Sequence, residues 1–196
     1  MGGYWTRQPA EGEEIRGAIC DVIVNETNKM LLVPPHLSLY FAYGSNLCLA
    51  QMTQRCGDGA EFLGVAHLPD YKWHINERGC ANILPLSNAS NDSANHGVYG
   101  ALYTMTDEAV AKMDVHEGVA KQIYERVPIR VKPLQDDATT EMIDAFAYID
   151  KRNVRDGPPR EEYVGRMNAA ISDGLDHGIP SKYVTEVLRP FIPPPS

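Results

Sequence analysis

Residues 40–49, YFAYGSNLCL, run aromatic and apolar side chains into Gly44-Ser45-Asn46 and then return to apolar ones. Leu37 to Tyr43 accumulates apolar and aromatic residues more than it alternates them, the pattern of a strand buried on both faces. Gly44 tolerates a positive φ, and Ser45 or Asn46 can cap a short helix over Leu47 to Cys56. Consecutive backbone N–H groups entering a helix N-terminus form a concavity that takes a carboxylate or a developing oxyanion without any lysine or arginine. An ordinary strand-to-helix turn has the same spelling, so these residues alone leave both readings open.

Working outward, strand-like runs follow at Phe62 to Leu68, Tyr71 to Asn76 and Cys80 to Leu86, punctuated by Pro69-Asp70 and Arg78-Gly79. SNASNDSANH, residues 87–96, is small and polar and is predicted to be a surface loop. Val98 to Met105 resumes a strand, and Thr106 then caps a helix with Asp107 and Glu108 in its first turn. Val110, Met113 and Glu117 fall on one side of that helix, and Gly118 is placed to end it. Ile123 to Lys132 and Glu141 to Asp150 read as an antiparallel hairpin joined across residues 135–137. Pro158-Pro159 introduces a helix with an apolar stripe at Tyr163, Met167 and Ile171, stopped by Gly174 or Gly178. A last helix runs from about Ser181 to Arg189. Upstream, residues 1–36 form a leader with a polar, acidic start and an apolar middle from Ala18 to Val24, closed by the helix-breaking Pro34-Pro35. The predicted organisation is an N-terminal extension, 1–36, and one domain, 37–196. Its fold class is α+β: a compact mixed sheet curled into a small barrel with flanking helices.

The bulk properties agree with one domain. The 196 residues are 43% hydrophobic and 22% charged, enough for one substantial core and too few for two comfortable ones. A formal charge of -8 and a pI near 5.2 give no basic face for a phosphate backbone, so no nucleic-acid partner is expected. Cys20, Cys48, Cys56 and Cys80 form no Cys-x-x-Cys pair and read as reduced packing residues. No basic n-region precedes an apolar run and no stretch nears about 18 consecutive apolar residues. A soluble, cytoplasmic protein without a membrane partner is therefore expected, and the sequons at Asn25, Asn88 and Asn91 read as coincidence. Met1-Gly2 with Thr6 matches the loose myristoylation pattern, but no basic patch supplies a second anchor, and a frayed terminus is the preferred reading.

Several chemistries have no signature here. There is no Walker loop and no G-x-G-x-x-G, and the zincin-like His116-Glu117 has Ala120 where a second histidine would stand. Gly44-Ser45-Asn46 lacks the glycine spacing of a nucleophile elbow. Glu117 is the second notable residue. At a helix C-terminus the macrodipole favours the protonated carboxyl, which predicts a raised pKa suited to general acid/base work. A solvated helix-end glutamate is the more ordinary alternative.

Taken together, YFAYGSNL, GVYGALYTM (97–105) and MDVHEGV (113–119) resemble the γ-glutamylcyclotransferase family, also called AIG2-like. The similarity continues through RGCANILP (78–85), IYERVPIRV (123–131), FAYI (146–149) and the segment 157–183. The resemblance implies a compact mixed fold with a barrel-like sheet and no metal or organic cofactor. It implies conversion of a γ-glutamyl amino acid into 5-oxoproline and the free amino acid, with a small-molecule γ-glutamyl substrate as the partner. It further implies that Tyr43, Gly44, Ser45 and Asn46 form the substrate loop. Glu117, within Asp114-Val115-His116-Glu117-Gly118-Val119, would transfer the proton, and Tyr124 and Tyr148 match tyrosines near the pocket. The YGSN spelling is similar to the γ-glutamyl-amino-acid branch rather than the glutathione-specific one. The leader could pack on the core, shape the pocket or join two copies in a homodimer. Two alternatives stay open at this level: the same scaffold turned to another acid/base cyclisation or elimination, and a catalytically silent binding module.

Overall fold

The computed structural model describes residues 22–24, 30–32, 36–86, 97–134 and 141–195. Expectations about the rest of the leader, its sequons and Cys20, the 87–96 loop and the 135–137 turn lie outside these residues. Within the leader, β1 (Val22–Val24) and β2 (Met30–Leu32) pair antiparallel.

The domain is built on a closed five-stranded barrel. Its strands are β3 (Leu37–Ala42), β4 (Ala60–Leu68), β7 (Val98–Thr106), β8 (Glu125–Pro133) and β9 (Ile143–Ile149), ordered β3-β7-β4-β8-β9 around the circle. The fold class read from the sequence is the one observed. β3 has the both-faces burial its composition demands: Leu39, Tyr40, Phe41 and Ala42 are all buried. It pairs antiparallel with β7 on one side and closes the barrel through a parallel contact, Tyr40 opposite Phe146, on the other. Closure leaves neither flank of β3 as an unpaired edge. The barrel wall is tight where β3 meets β7. A Cβ on Gly100 would fall 2.5 Å from the Ala42 carbonyl oxygen and 2.6 Å from the Phe41 ring.

A second, two-stranded sheet is the hairpin of β5 (Tyr71–Ile75) and β6 (Ala81–Pro85). A fully buried carboxylate, Asp150 at the end of β9, ties it to the barrel. Asp150 accepts from Asn76 Nδ2 (3.2 Å), Asn153 Nδ2 (2.9 Å) and the backbone N–H groups of Arg152 and Asn153 (3.0 Å each). Its own backbone exchanges hydrogen bonds with the Asn82 carboxamide, at 2.9 and 3.0 Å. A buried charge is tolerable only with such a full set of donors.

Three helices matter for the site. α1 (Leu49–Cys56) follows the Ser45–Leu47 turn, which is a tight 3-10 turn. Neither Ser45 nor Asn46 caps α1, contrary to the sequence reading. Gln51 Nε2 donates to the Ser45 Oγ (2.9 Å) and the Asn46 Oδ1 (2.7 Å), and the Leu49 N–H is satisfied instead by Asp173 Oδ2 at 2.9 Å. α2 (Asp107–His116) starts as expected, with Thr106 Oγ1 accepting from the Ala109 N–H at 3.2 Å. It ends at Gly118, whose φ of 66° is the left-handed conformation glycine adopts without strain. α3 (Glu161–Asp176) buries Tyr163, Met167 and Ile171 as the stripe predicts, and Asp173 reaches α1 from its last turn.

Several boundaries move, and two of them have a visible backbone reason. β8 begins at Glu125 rather than Ile123, because residues 119–121 make a 3-10 turn and Gln122 takes φ 55° before the chain extends. The last helix is only α4 (Ser181–Tyr183), which widens at once into a π-turn over Val184–Leu188, where the Arg189 N–H bonds the Val184 carbonyl at 2.9 Å. Among the described residues no helix is long and apolar enough to cross a membrane.

Gly100→Ala should destabilise the domain by about 2–3 kcal/mol, since the methyl group has only backbone and ring atoms to displace. Urea unfolding of the variant beside the wild type measures this.

Candidate active site

The turn after β3, the C-terminus of α2 and the N-terminal half of α3 enclose a cavity of about 170 Å³. Tyr43, Gly44, Ser45, Asn46, Glu117, Tyr124 and Tyr148, singled out by sequence, all line it.

Tyr43 anchors the turn at both ends of its residue: its hydroxyl donates to the Tyr148 carbonyl oxygen, and its carbonyl accepts from Trp73 Nε1 at 2.9 Å. Gly44 sits at φ -122°, so a positive φ is not why glycine stands there. Space is the reason. A Cβ would fall 2.9 Å from the Tyr163 hydroxyl and 3.2 Å from the Ala81 side chain, so only glycine lets α3 and β6 close on the turn. The N–H groups of Leu47 and Cys48 bond back to the carbonyls of Gly44 (2.9 Å) and Ser45 (3.2 Å), which locks the turn's shape.

Asn46, buried, is the centre of the polar network. Its Nδ2 donates to Tyr40 Oη at 2.9 Å and to Glu117 Oε1 at 3.1 Å. Its Oδ1 accepts from Gln51 Nε2 at 2.7 Å and from Arg55 Nη1 at 2.9 Å. Arg55, in the last turn of α1, also pairs with Glu117 Oε1 at 3.0 Å, and both side chains are mostly buried, at 17% and 15% exposure. Glu117 Oε1 therefore receives two donors. Its other oxygen makes no hydrogen bond among the described residues and is left to the cavity.

Burial pushes the Glu117 carboxyl above its ordinary range; the Arg55 charge and the Asn46 amide pull it part of the way back. The direction matches the sequence expectation, but the cause is desolvation rather than the helix end. Burial likewise raises Tyr40, Tyr43 and Tyr124, with the nearby Glu117 charge adding to each, so these hydroxyls stay neutral. Tyr124 donates to the Ala81 carbonyl oxygen at 3.1 Å. Tyr148 is held by its hydroxyl on Asp114 Oδ1 at 2.7 Å, and Asp114 in turn meets Arg126 Nε at 3.3 Å.

Sequence reasoning missed Tyr40, Arg55, Arg78, Tyr163 and Arg166, which line the same cavity. Tyr163 was visible only as part of an apolar stripe, and nothing local marks which arginines turn inward. Among the described residues no group of His, Cys, Asp and Glu side chains is placed to hold a metal ion, and Cys48, Cys56 and Cys80 are free thiols.

Residues 97–187 match the AIG2-like family. No curated protein matches the sequence. Among solved structures, one titled γ-glutamyl cyclotransferase superposes with a TM-score of 0.64 at 24% identity, covering 82% of this chain and 90% of that one. A protein from Homo sapiens described as uncharacterized gives the same TM-score at 23% identity and the same coverages. YkqA from Bacillus subtilis gives 0.62 at 19% identity, over 82% of this chain and 56% of that one. At these identities the structural likeness is one of fold. With the family match over 97–187, it bears out the resemblance to the AIG2-like, γ-glutamylcyclotransferase-type family.

The raised Glu117 has a consequence for stability. The unfolded chain releases this proton in the ordinary carboxylate range and the folded chain only at higher pH, so between the two the folded state holds more protons and stability falls as pH rises. Glu117→Gln should flatten that fall. Melting temperatures of both proteins from about pH 4 to about pH 8 should show the wild type losing ground to the variant as pH rises.

Proposed function

We propose that this protein is a γ-glutamyl cyclotransferase. The substrate's own α-amine attacks its γ-carbonyl carbon. A carbon–nitrogen bond closes the five-membered ring of 5-oxoproline, and the bond to the departing amine breaks. No protein nucleophile is needed, because holding the amine and carbonyl in the folded conformation supplies much of the rate. The proton chemistry needs one group: Glu117 takes a proton from the α-ammonium so that the free amine can attack, the ring nitrogen gives up a second proton as the lactam forms, and the leaving nitrogen takes up both and departs as an ammonium ion.

The observation that carries this reading is the setting of Glu117. One carboxylate oxygen is clamped by Asn46 and Arg55 at 3.1 and 3.0 Å, the other is left to the cavity, and burial raises the group toward the pH at which it must both accept and return a proton. The 43–46 turn forms the adjoining wall. A serine mechanism is poorly served, since Ser45 Oγ accepts from the Gln51 amide, a group that cannot take its proton.

The test is 5-oxoproline release from γ-glutamyl dipeptides, glutathione and γ-glutamyl amines. Glu117→Gln should lower turnover by about two or more orders of magnitude with the fold intact. Near-normal turnover in the variant would reassign the base. Silence from both proteins would move the scaffold to a different cyclisation or to ligand binding.

A further inference from the structure

Glu117 stands where a fixed geometry is hard to keep. It follows the last residue of α2, and its neighbours Val115 and His116 are exposed. Helix ends open more readily than helix centres. The backbone bonds at this end run from the Glu117 N–H to the Met113 carbonyl at 2.9 Å and from the Gly118 N–H to the Val115 carbonyl at 3.2 Å. The side-chain hold is the clamp of Asn46 and Arg55 on Oε1, at 3.1 and 3.0 Å. That clamp weakens in the course of the reaction, because a Glu117 that has taken up a proton no longer carries the charge that Arg55 answers.

A second anchor does not depend on the charge of Glu117. Asp114, about one turn earlier on α2, reaches the β8–β9 pair: its Oδ1 accepts from the Tyr148 hydroxyl at 2.7 Å and meets Arg126 Nε at 3.3 Å. Arg126 and Tyr148 are partners in the β8–β9 register, so the carboxylate sits on a cross-strand pair. The two contacts differ in weight. Arg126 is half exposed and its ion pair contributes little. Tyr148 is buried, and an O–H donated to a carboxylate is a strong, charge-assisted bond. Tyr148 is also a firm post. Its ring meets those of Tyr40 and Phe146 edge-on, with centres 5.5 Å apart in each case, and its carbonyl accepts from the Tyr43 hydroxyl.

We propose that Asp114 is a positioning residue: through Tyr148 it pins the last turn of α2 to the barrel and keeps the Glu117 carboxyl in place during the part of the cycle in which that carboxyl is protonated. This rests on the cyclotransferase reading. The role is one of geometry rather than of charge. Beside burial itself, the groups that act on the Glu117 carboxyl are Arg55, Asn46 and His116. What Asp114 supplies is an acceptor at a fixed point, three residues before the group that moves the proton. Proton transfer needs that precision, since a displacement of about 1 Å can cost about a hundredfold in rate.

The test uses whichever γ-glutamyl compound the wild type turns over fastest. Asp114→Ala should lower kcat by about tenfold and leave KM within about twofold of the wild type, the split expected when transition-state geometry is lost and binding is kept. Asp114→Asn, which keeps an acceptor for Tyr148 and loses the charge, should recover most of that loss. Adding Tyr148→Phe to Asp114→Ala should cost nothing further, because both changes remove the same bond. Wild-type kcat in Asp114→Ala, a loss carried by KM, an asparagine variant as slow as the alanine one, or losses that multiply in the double variant would overturn the role. Turnover of no γ-glutamyl compound by the wild type would overturn the cyclotransferase reading instead. Amide hydrogen exchange at Glu117 and Gly118 then decides the anchor without any turnover. Asp114→Ala should speed this exchange, and by a larger factor in a Glu117→Gln background, where the carboxyl charge is gone, than beside native Glu117. No change, or a factor no larger in the glutamine background, would overturn the anchor. Should Asp114→Ala fail to fold, Tyr148→Phe breaks the same bond from the other side and takes its place in both measurements.

Discussion

The side chain of Asn46 is the constraint on which the site depends. A carboxamide offers two donors and two acceptor positions, and here all four are used: Nδ2 on Tyr40 and Glu117, Oδ1 under Gln51 and Arg55. The orientation of the amide follows from the network, because the flipped group would turn N–H toward Arg55 and oxygen toward the Glu117 carboxylate. One residue thus joins β3, the turn after it, α1 and the end of α2. It also supplies the second donor without which Glu117 would hold a single buried ion pair.

The barrel exists, from the standpoint of the site, to bring those elements to one place. β3 must be central and closed on both flanks for Tyr40 and Tyr43 to be held by Asn46 and by the Tyr148 carbonyl. The β5–β6 hairpin stays in position through Asp150, a carboxylate whose buried charge is distributed over four hydrogen bonds. α3 approaches because Gly44 leaves room for the Tyr163 hydroxyl, and it returns the contact by capping α1 through Asp173. The result is a polar pocket made from sequence-distant parts.

Glu117 shows how opposing terms set chemical character. Pairing with Arg55 favours the carboxylate; burial favours the acid, and burial is the larger effect. A fully solvated glutamate with the same partners would stay an ordinary carboxylate and make a poor shuttle near neutrality. A buried one without partners would hold its proton too firmly to act as a base.

The sequence by itself determined the local backbone. The aromatic run into Gly44, the Thr106 cap, the Gly118 stop and the Tyr163-Met167-Ile171 stripe are short-range patterns, and each appears in the fold where composition and spacing place it. The resemblance in the YGSN and HEGV segments pointed to the cavity wall for the same reason, since both are compact motifs. Tertiary structure alone decided which side chains meet across the cavity. Arg55, Arg78 and Arg166 look like any surface arginines in sequence, the cap of α1 comes from a residue 124 positions away, and the cause of the Glu117 shift is burial that no helix-end rule contains. Desolvation and long-range partners are properties of the enclosed space, and that space exists only once the barrel closes and the helices pack on it.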